Sequence, residues 1–303
     1  MHLQSGLPPV DARAKIAVTQ PHLFCFGLGY SARHLARALK AEGWRVSGTQ
    51  RPREEAPQAD PDGIPLWPFD PEHPLADPAA CLSDVTHVLV SAPPGEAGDP
   101  VLQTHGDDLA SAPSLTWLGY LSTTGVYGDT GGAWVDETDE TRPTAARSRR
   151  RLAAEQAWQA SGLPVEIFRL AGIYGPGRSA LDTLRRGAGR RIAKAGQVFS
   201  RIHVEDIAVV LRAAIARPQP GAVYNVCDDE PAPPQDVVAY AAGLLGLDPP
   251  PEIPFETADL SPMAASFYGD NRRVRNARIK RDLGVTLAHP TYREGLRALL
   301  SDV

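Results

Sequence analysis

The chain contains no apolar run approaching the roughly 18 residues that a membrane-spanning helix requires, which excludes a helical membrane protein. It also has little cysteine. Cys25, Cys81 and Cys227 lie far apart, each in apolar company, which reads as reduced thiols in a cytoplasmic protein and not as a disulfide framework or a metal knuckle. A basic excess is missing too. The 31 Lys and Arg stand against 36 Asp and Glu, a formal charge of −5, so no overall positive field recruits nucleic acid or an anionic membrane. The opening residues 1–21 lack an apolar core, and Pro8, Pro9, Asp11 and Arg13 make them a loose extension and not a signal peptide. Repeats are absent, and the 29 prolines are scattered instead of gathered in one linker.

What is present is a foldable interior, with 43% hydrophobic residues across 303 positions, enough for two lobes or one large domain. Short apolar runs alternate with amphipathic stretches, the pattern of parallel βαβ units. The runs predict strands over 22–29, 44–49, 64–69, 85–90, 115–122, 165–170 and 223–226. Helical spacing predicts helices over 31–42, 151–160 and 236–246. The fold class expected is α/β, a Rossmann-like doubly wound parallel sheet with a smaller C-terminal substrate lobe. Residues 22–174, with 200–228, form the dinucleotide-binding domain, and 175–199 with 229–303 form the substrate lobe.

The first strand runs into Phe26-Gly27-Leu28-Gly29-Tyr30-Ser31-Ala32, a G-x-G-x-x-A turn opening a helix. Gly27 permits the tight turn, Gly29 admits a pyrophosphate, and Ala32 allows close helix–strand packing. The helix start, through Leu28, Tyr30 and Ser31, offers unpaired N–H groups to an anion. The second strand leads into Thr49-Gln50-Arg51-Pro52-Arg53, with no carboxylate before Glu54 to grip a ribose. Thr49 and Arg51 suit a 2′-phosphate, which favours NADP(H) over NAD(H). Asp70, Ser91 and Ala92, at the ends of the third and fourth strands, are placed in the same cofactor site.

Four further motifs follow in order: Leu121-Ser122-Thr123-Thr124-Gly125-Val126-Tyr127-Gly128, Phe168 to Gly177 (FRLAGIYGPG), Ile202 to Ala208 (IHVEDIA), and Val223-Tyr224-Asn225-Val226. Together, from about Phe24 to the C-terminus, the chain resembles the extended short-chain dehydrogenases of the sugar-nucleotide epimerase/dehydratase-like group. The resemblance implies that Thr123 hydrogen-bonds a substrate oxygen and that a Tyr-x-x-x-Lys pair follows on the next helix. At those two positions stand Arg147 and Arg151. A guanidinium cannot exchange a proton near neutral pH, so Arg147 cannot replace the tyrosine, whereas Arg151 can bind ribose or phosphate as a fixed cation. The chain is thus expected to be an atypical member. Spaced four apart, both arginines are expected to face the cleft as one doubly cationic wall for an anion.

Tyr127 and Tyr174 read as packing residues, with a displaced proton donor as the alternative. His203, Glu205 and Asp206 read as helix caps and not as a metal cluster. His105 and His289 carry no arguable triad. Asp136, Glu137, Asp139 and Glu140 form a solvated acidic loop, with a lid as the alternative. Two functions stay open: an NADP(H)-dependent oxidoreductase or epimerase of a small carbonyl or sugar-nucleotide-like molecule, and a non-catalytic NADP(H)-binding sensor. The expected partner is a small-molecule ligand. Dimers are common among such relatives, so a homodimer is compatible with the reading.

Overall fold

The apolar runs become strands, all but the edge strand β3 largely buried: β1 (His22–Phe26), β2 (Arg45–Gln50), β3 (Leu66–Pro68), β4 (His87–Val90), β5 (Trp117–Thr123), β7 (Val165–Leu170) and β11 (Val223–Val226). In this computed structural model, which describes residues 20–54 and 57–301, they make one parallel sheet ordered β11-β7-β5-β4-β1-β2-β3. Residues 1–19 of the expected extension lie outside the described residues. The strand order reverses beside β1, between β2 and β4, which is where a doubly wound sheet opens its ligand crevice. β3, flanked by Pro65 and ending at Pro68, takes the edge, where a missing N–H costs least.

The alternation along β1 sorts the two layers. Leu23 and Cys25 face one apolar core with Leu35 and Leu39 of α1 (Tyr30–Ala41) and Ile207 and Leu211 of α6 (Val204–Ala216). Phe24 and Phe26 face the other, with Leu82 of α2 (Pro78–Leu82), Val101 and Leu109 of α3 (Pro100–Ala110), and Trp158 of α4 (Ala146–Ala160). α3 was not legible as a periodic segment, yet its start carries a clear signature. Asp99 caps the Val101 and Leu102 N–H groups, and Pro100 occupies the first turn. α4 begins at Ala146, before the predicted start at 151, because the arginine run is itself a good helix former.

A third apolar cluster makes the smaller lobe. It joins Leu181 and Leu184 of α5 (Ala180–Arg185), Val237 and Ala241 of α7 (Pro234–Leu244), and Leu296 and Leu299 of α10 (Tyr292–Ser301). Three two-stranded ladders brace the connections: β6 (Trp134–Val135) with β13 (Arg273–Val274), β8 (Gly172–Tyr174) with β10 (Arg201–His203), and β9 (Arg191–Ala193) with β12 (Glu252–Pro254). The exposed α8 (Pro262–Phe267) lies between them in sequence. One expected lobe segment lies elsewhere. Ile279 and Leu283 of α9 (Ala277–Leu283), with Val285 and Leu287, join the core of the sheet domain against α6 and β11, because their apolar faces find partners there.

Glu166 is fully buried within β7. One carboxylate oxygen accepts the Gln219 N–H at 2.8 Å and the other has no partner. Burial pushes its pKa from 4.5 up to about 7, a difference worth roughly 3 kcal/mol. The folded chain therefore keeps a proton that the unfolded chain has released. The contribution is full below the unfolded pKa and is lost as pH rises through the folded one. Urea unfolding at pH 5 and pH 8 checks this: wild type is expected to lose roughly 2–3 kcal/mol more than Glu166→Gln over that interval, and parallel pH slopes would contradict it.

Candidate functional site

The turn after β1 is fixed from β2. The Gly27 N–H donates to Thr49 Oγ1 at 2.9 Å and the Leu28 N–H to the Thr49 carbonyl at 2.8 Å. Gly27 has φ +86°, and a Cβ there would stand 3.1 Å from the Ala92 nitrogen. Gly29 differs: a Cβ there meets nothing closer than the Gly27 carbonyl at 4.0 Å. It starts α1 without a capping side chain, so the first-turn amides stay uncapped beside open space. The buried Thr49 hydroxyl is thus engaged in shaping the turn.

The turn opens into a cleft of about 740 Å³ whose lining brings together Gly27, Leu28, Gly29, Thr49, Arg51, Asp70, Ser91 and Ala92. The Ser91 and Ala92 N–H groups both donate to the Phe26 carbonyl, holding the end of β4 against the turn. Asp70 accepts from the Glu72 and His73 N–H groups and from the His73 ring, which keep its pKa low. Arg51 and Arg53 line the rim. Ser31 is buried in the first turn of α1. The Tyr30 side chain turns away, donating to the Pro176 carbonyl at 3.1 Å, with Arg178 over its ring. Gly175 permits this, since a Cβ there would lie 2.6 Å from the Tyr30 hydroxyl.

A second cavity, of about 480 Å³, lies between the sheet and the lobe. Thr123 lines it, with Leu170, Val198, Phe199, Arg201, Phe267 and Arg272 among others. Thr123 Oγ1 accepts the Gly125 N–H at 3.1 Å, leaving its proton free to be donated. The expected doubly cationic wall is not formed. Exposed Arg147 lies over the Phe267 ring, 4.1 Å from its centre. Arg151 turns to the sheet, where Nη1 donates to the Leu121 carbonyl at 2.7 Å and to the Tyr120 hydroxyl at 3.3 Å. The i, i+4 spacing sets a common helix face, but different partners draw the two long side chains apart.

Beneath both cavities runs a polar network that the sequence reading did not identify. Arg169 on β7 pairs with Glu155 on α4 at 2.8 Å through Nη2 and at 3.2 Å through Nε, and donates to the Tyr127 hydroxyl at 2.9 Å. Tyr127 donates to Asn225 at 2.8 Å, and Ser122 donates to Glu155. Both bonds of the tyrosine hydroxyl are spent and burial pushes its pKa up to about 12, so Tyr127 is no displaced acid. Tyr174 is likewise packed, its hydroxyl against Gly295 and the Thr291 carbonyl. From the acidic loop, Glu137 reaches inward to accept the Asn225 N–H at 2.7 Å, which makes that loop fixed structure and not a free lid.

The histidines resolve by position. His105 accepts the Leu75 N–H and pairs with Asp108. His203, Glu205 and His289 do converge, with His289 at 3.0 Å from Glu205. His203 Nδ1, however, accepts the Glu205 N–H as the cap of α6, and burial lowers its pKa to about 4. Asp206 turns away and accepts the Ala288 and His289 N–H groups. His289, remote in sequence, could not be read as a partner of this cap.

No protein-family model matches the chain. Protein YeeZ of Escherichia coli (strain K12) is 32% identical over 236 residues, covering 74% of this chain and 84% of that protein. The 3-diazoavenalumate denitrifying reductase of a Streptomyces species is 29% identical over 291 residues, covering 86% and 94%. Among solved structures, a conserved protein of unknown function from Silicibacter pomeroyi DSS is 56% identical, with TM-score 0.84, covering 93% of this chain and 99% of that one. A protein of Methylobacillus flagellatus, provisionally assigned as an NAD-dependent epimerase/dehydratase, is 25% identical with TM-score 0.71, covering 94% and 98%.

The buried pair yields a stability prediction. Removing one partner of a buried ion pair strands the other charge, which costs about 3–5 kcal/mol. Arg169→Leu is expected to lose that much in urea unfolding, against about 1 kcal/mol for Tyr127→Phe, which removes only hydrogen bonds. Equal losses for the two variants would show that the network is not organised around the pair.

Proposed function

The chain belongs to one family with protein YeeZ and is a divergent member of the epimerase/dehydratase-like extended short-chain dehydrogenases; from that premise we propose that it is an NADP(H)-dependent oxidoreductase of a small carbonyl compound. The observation that carries the proposal is the uncapped start of α1 over the open space at Gly29, at the mouth of a cleft rimmed by Arg51 and Arg53. A pyrophosphate fits such a start, through unpaired N–H groups and the helix dipole. The two guanidinium groups, with no carboxylate of β2 beside them, favour a 2′-phosphate over a bare ribose hydroxyl. A reductase among the relatives and an epimerase/dehydratase-like neighbour support redox chemistry.

When bound, the nicotinamide supplies a hydride, and the chain supplies orientation. Thr123 would donate a hydrogen bond to the substrate carbonyl oxygen. Arg151, anchored on the Leu121 carbonyl at the end of β5, would stand as a fixed cation near the ribose. Neither arginine at the Tyr-Lys positions can deliver a proton, so the alcohol proton would come from water. A positioned acid is worth about 10²–10⁴-fold, so turnover is expected to be slow. That same absence favours a second reading, an NADP(H)-binding sensor without turnover.

Fluorescence titration against NADPH and NADH tests the cofactor. NADPH is expected to bind roughly ten- to hundredfold tighter, as a charge-assisted contact provides, and Arg51→Ala to erase most of the difference; equal affinities in wild type would sink the NADP(H) reading. Gly29→Val is expected to keep the fold by circular dichroism and lose NADPH binding, because a branched side chain fills the anion's place while its Cβ meets nothing closer than the Gly27 carbonyl at 4.0 Å. Retained binding would make the glycine merely structural. A screen of aldehydes and ketones by NADPH oxidation separates enzyme from sensor. Slow turnover that falls about tenfold or more in Thr123→Ala supports the enzyme, and absent turnover with intact NADPH binding supports the sensor.

A further inference from the structure

The second cavity has a chemical asymmetry that the reading above leaves unused. Its walls are mostly apolar, with Leu170, Val198, Phe199 and Phe267 prominent, and its volume of about 480 Å³ is that of a small-molecule site. The polar side chains on it are largely committed. Asp270 accepts from Arg272 at 3.0 Å and from Thr144 at 2.5 Å, and Arg272 also donates to the Gly128 carbonyl. The Ser200 hydroxyl accepts the Val274 N–H.

Arg201 is the exception. Its Nη1 donates to the carbonyls of Phe199 and Ala232 at 2.8 and 3.0 Å, which fixes the guanidinium at the cavity wall. Its Nε and Nη2 have no partner among the described residues and are not sealed from the cavity, and it forms no ion pair there with any carboxylate. The carboxyl that acts on it most strongly, Asp228, is itself buried. Burial holds that carboxyl's pKa well above the usual range, and its contact to Arg201 runs from the Asp228 N–H to the Arg201 carbonyl, not to the guanidinium. A fixed cation in an apolar setting is costly unless an anion meets it, and a guanidinium fork matches a carboxylate in shape.

We propose that the second cavity binds a small carboxylate with an apolar body, its carboxylate on Arg201 and its other end at Thr123. A nucleotide sugar fits this cavity poorly. Its diphosphate brings two charges to the one free cation among the described lining residues, and its sugar hydroxyls face walls with few uncommitted partners. The inference deepens the oxidoreductase reading and rests on it only for the place of the cofactor beside the cavity.

The test is calorimetric titration of NADPH-loaded protein with benzoate, 3-phenylpropionate and octanoate, with the primary alcohols of the same skeletons, and with UDP-glucose. At least one acid is expected to bind ten- to hundredfold tighter than its alcohol, the range of one charged hydrogen-bonded contact. Arg201→Leu is expected to abolish that preference while NADPH affinity is unchanged, and Arg201→Lys to retain part of it. The proposal is overturned if none of the three acids binds, if the alcohols bind as well as the acids, if UDP-glucose binds and the acids do not, or if folded Arg201→Leu keeps the preference. Should Arg201→Leu fail to fold by circular dichroism, the acid-to-alcohol ratio in wild type decides alone. Titrating the acids without NADPH separates the two readings: acid binding that depends on Arg201, in a protein that takes no NADPH, removes the cofactor reading and leaves this one standing.

Discussion

The carboxylate of Glu155 and the guanidinium of Arg169 meet in the interior, where either charge left without the other would be costly. The bond ties α4 to the sheet at the level where β5 and β7 end, and Ser122, Tyr127 and Asn225 extend it sideways to the turn after β5 and to β11. Thr123 and Leu170 stand next to those anchors, and both line the second cavity. The position of the cavity wall therefore depends on one buried electrostatic pair, and the strand ends cannot drift apart without stranding a charge.

Much of this was readable because it is periodic or because it is backbone chemistry. The seven strands announced themselves as apolar runs, and the glycine turn as a strand-to-helix junction with no side chains where an anion must approach. What escaped was of two kinds. α3 is short, and its Gly106 and paired aspartates blur the apolar face, although Asp99-Pro100 marked its start. Glu155 and Arg169 fall in a helix and a strand predicted separately, over 151–160 and 165–170. Only the three-dimensional register of α4 over β7 reveals that they face each other, and no spacing within one segment encodes that. The same holds for His203 and His289, which meet across a long stretch of intervening chain.

The arginine helix shows how far a motif position can be carried. Aligning the helix put Arg147 and Arg151 where a Tyr-Lys pair would stand, and the inference that neither exchanges protons follows from guanidinium chemistry alone. The further step, that both line the cleft, assumed that position on a helix face fixes where a long side chain ends. Arg151 finds a backbone carbonyl and Arg147 an aromatic ring. The cation left facing the cavity is Arg201, on a β-ladder, held by two carbonyls that allow it no such choice.

The path of α9 has a mechanical consequence. The chain leaves the sheet domain for the lobe after β8, returns at β10, leaves again after β11, returns as α9 packs on α6, and ends in the lobe as α10. Two bodies stitched together at so many crossings cannot swing on a single hinge, because each strand of the stitching would have to lengthen at once. Relative motion is confined to shear of a few packed faces. A cut before α9 would strip Ile279 and Leu283 from the core of the sheet domain as well as Leu296 and Leu299 from the lobe.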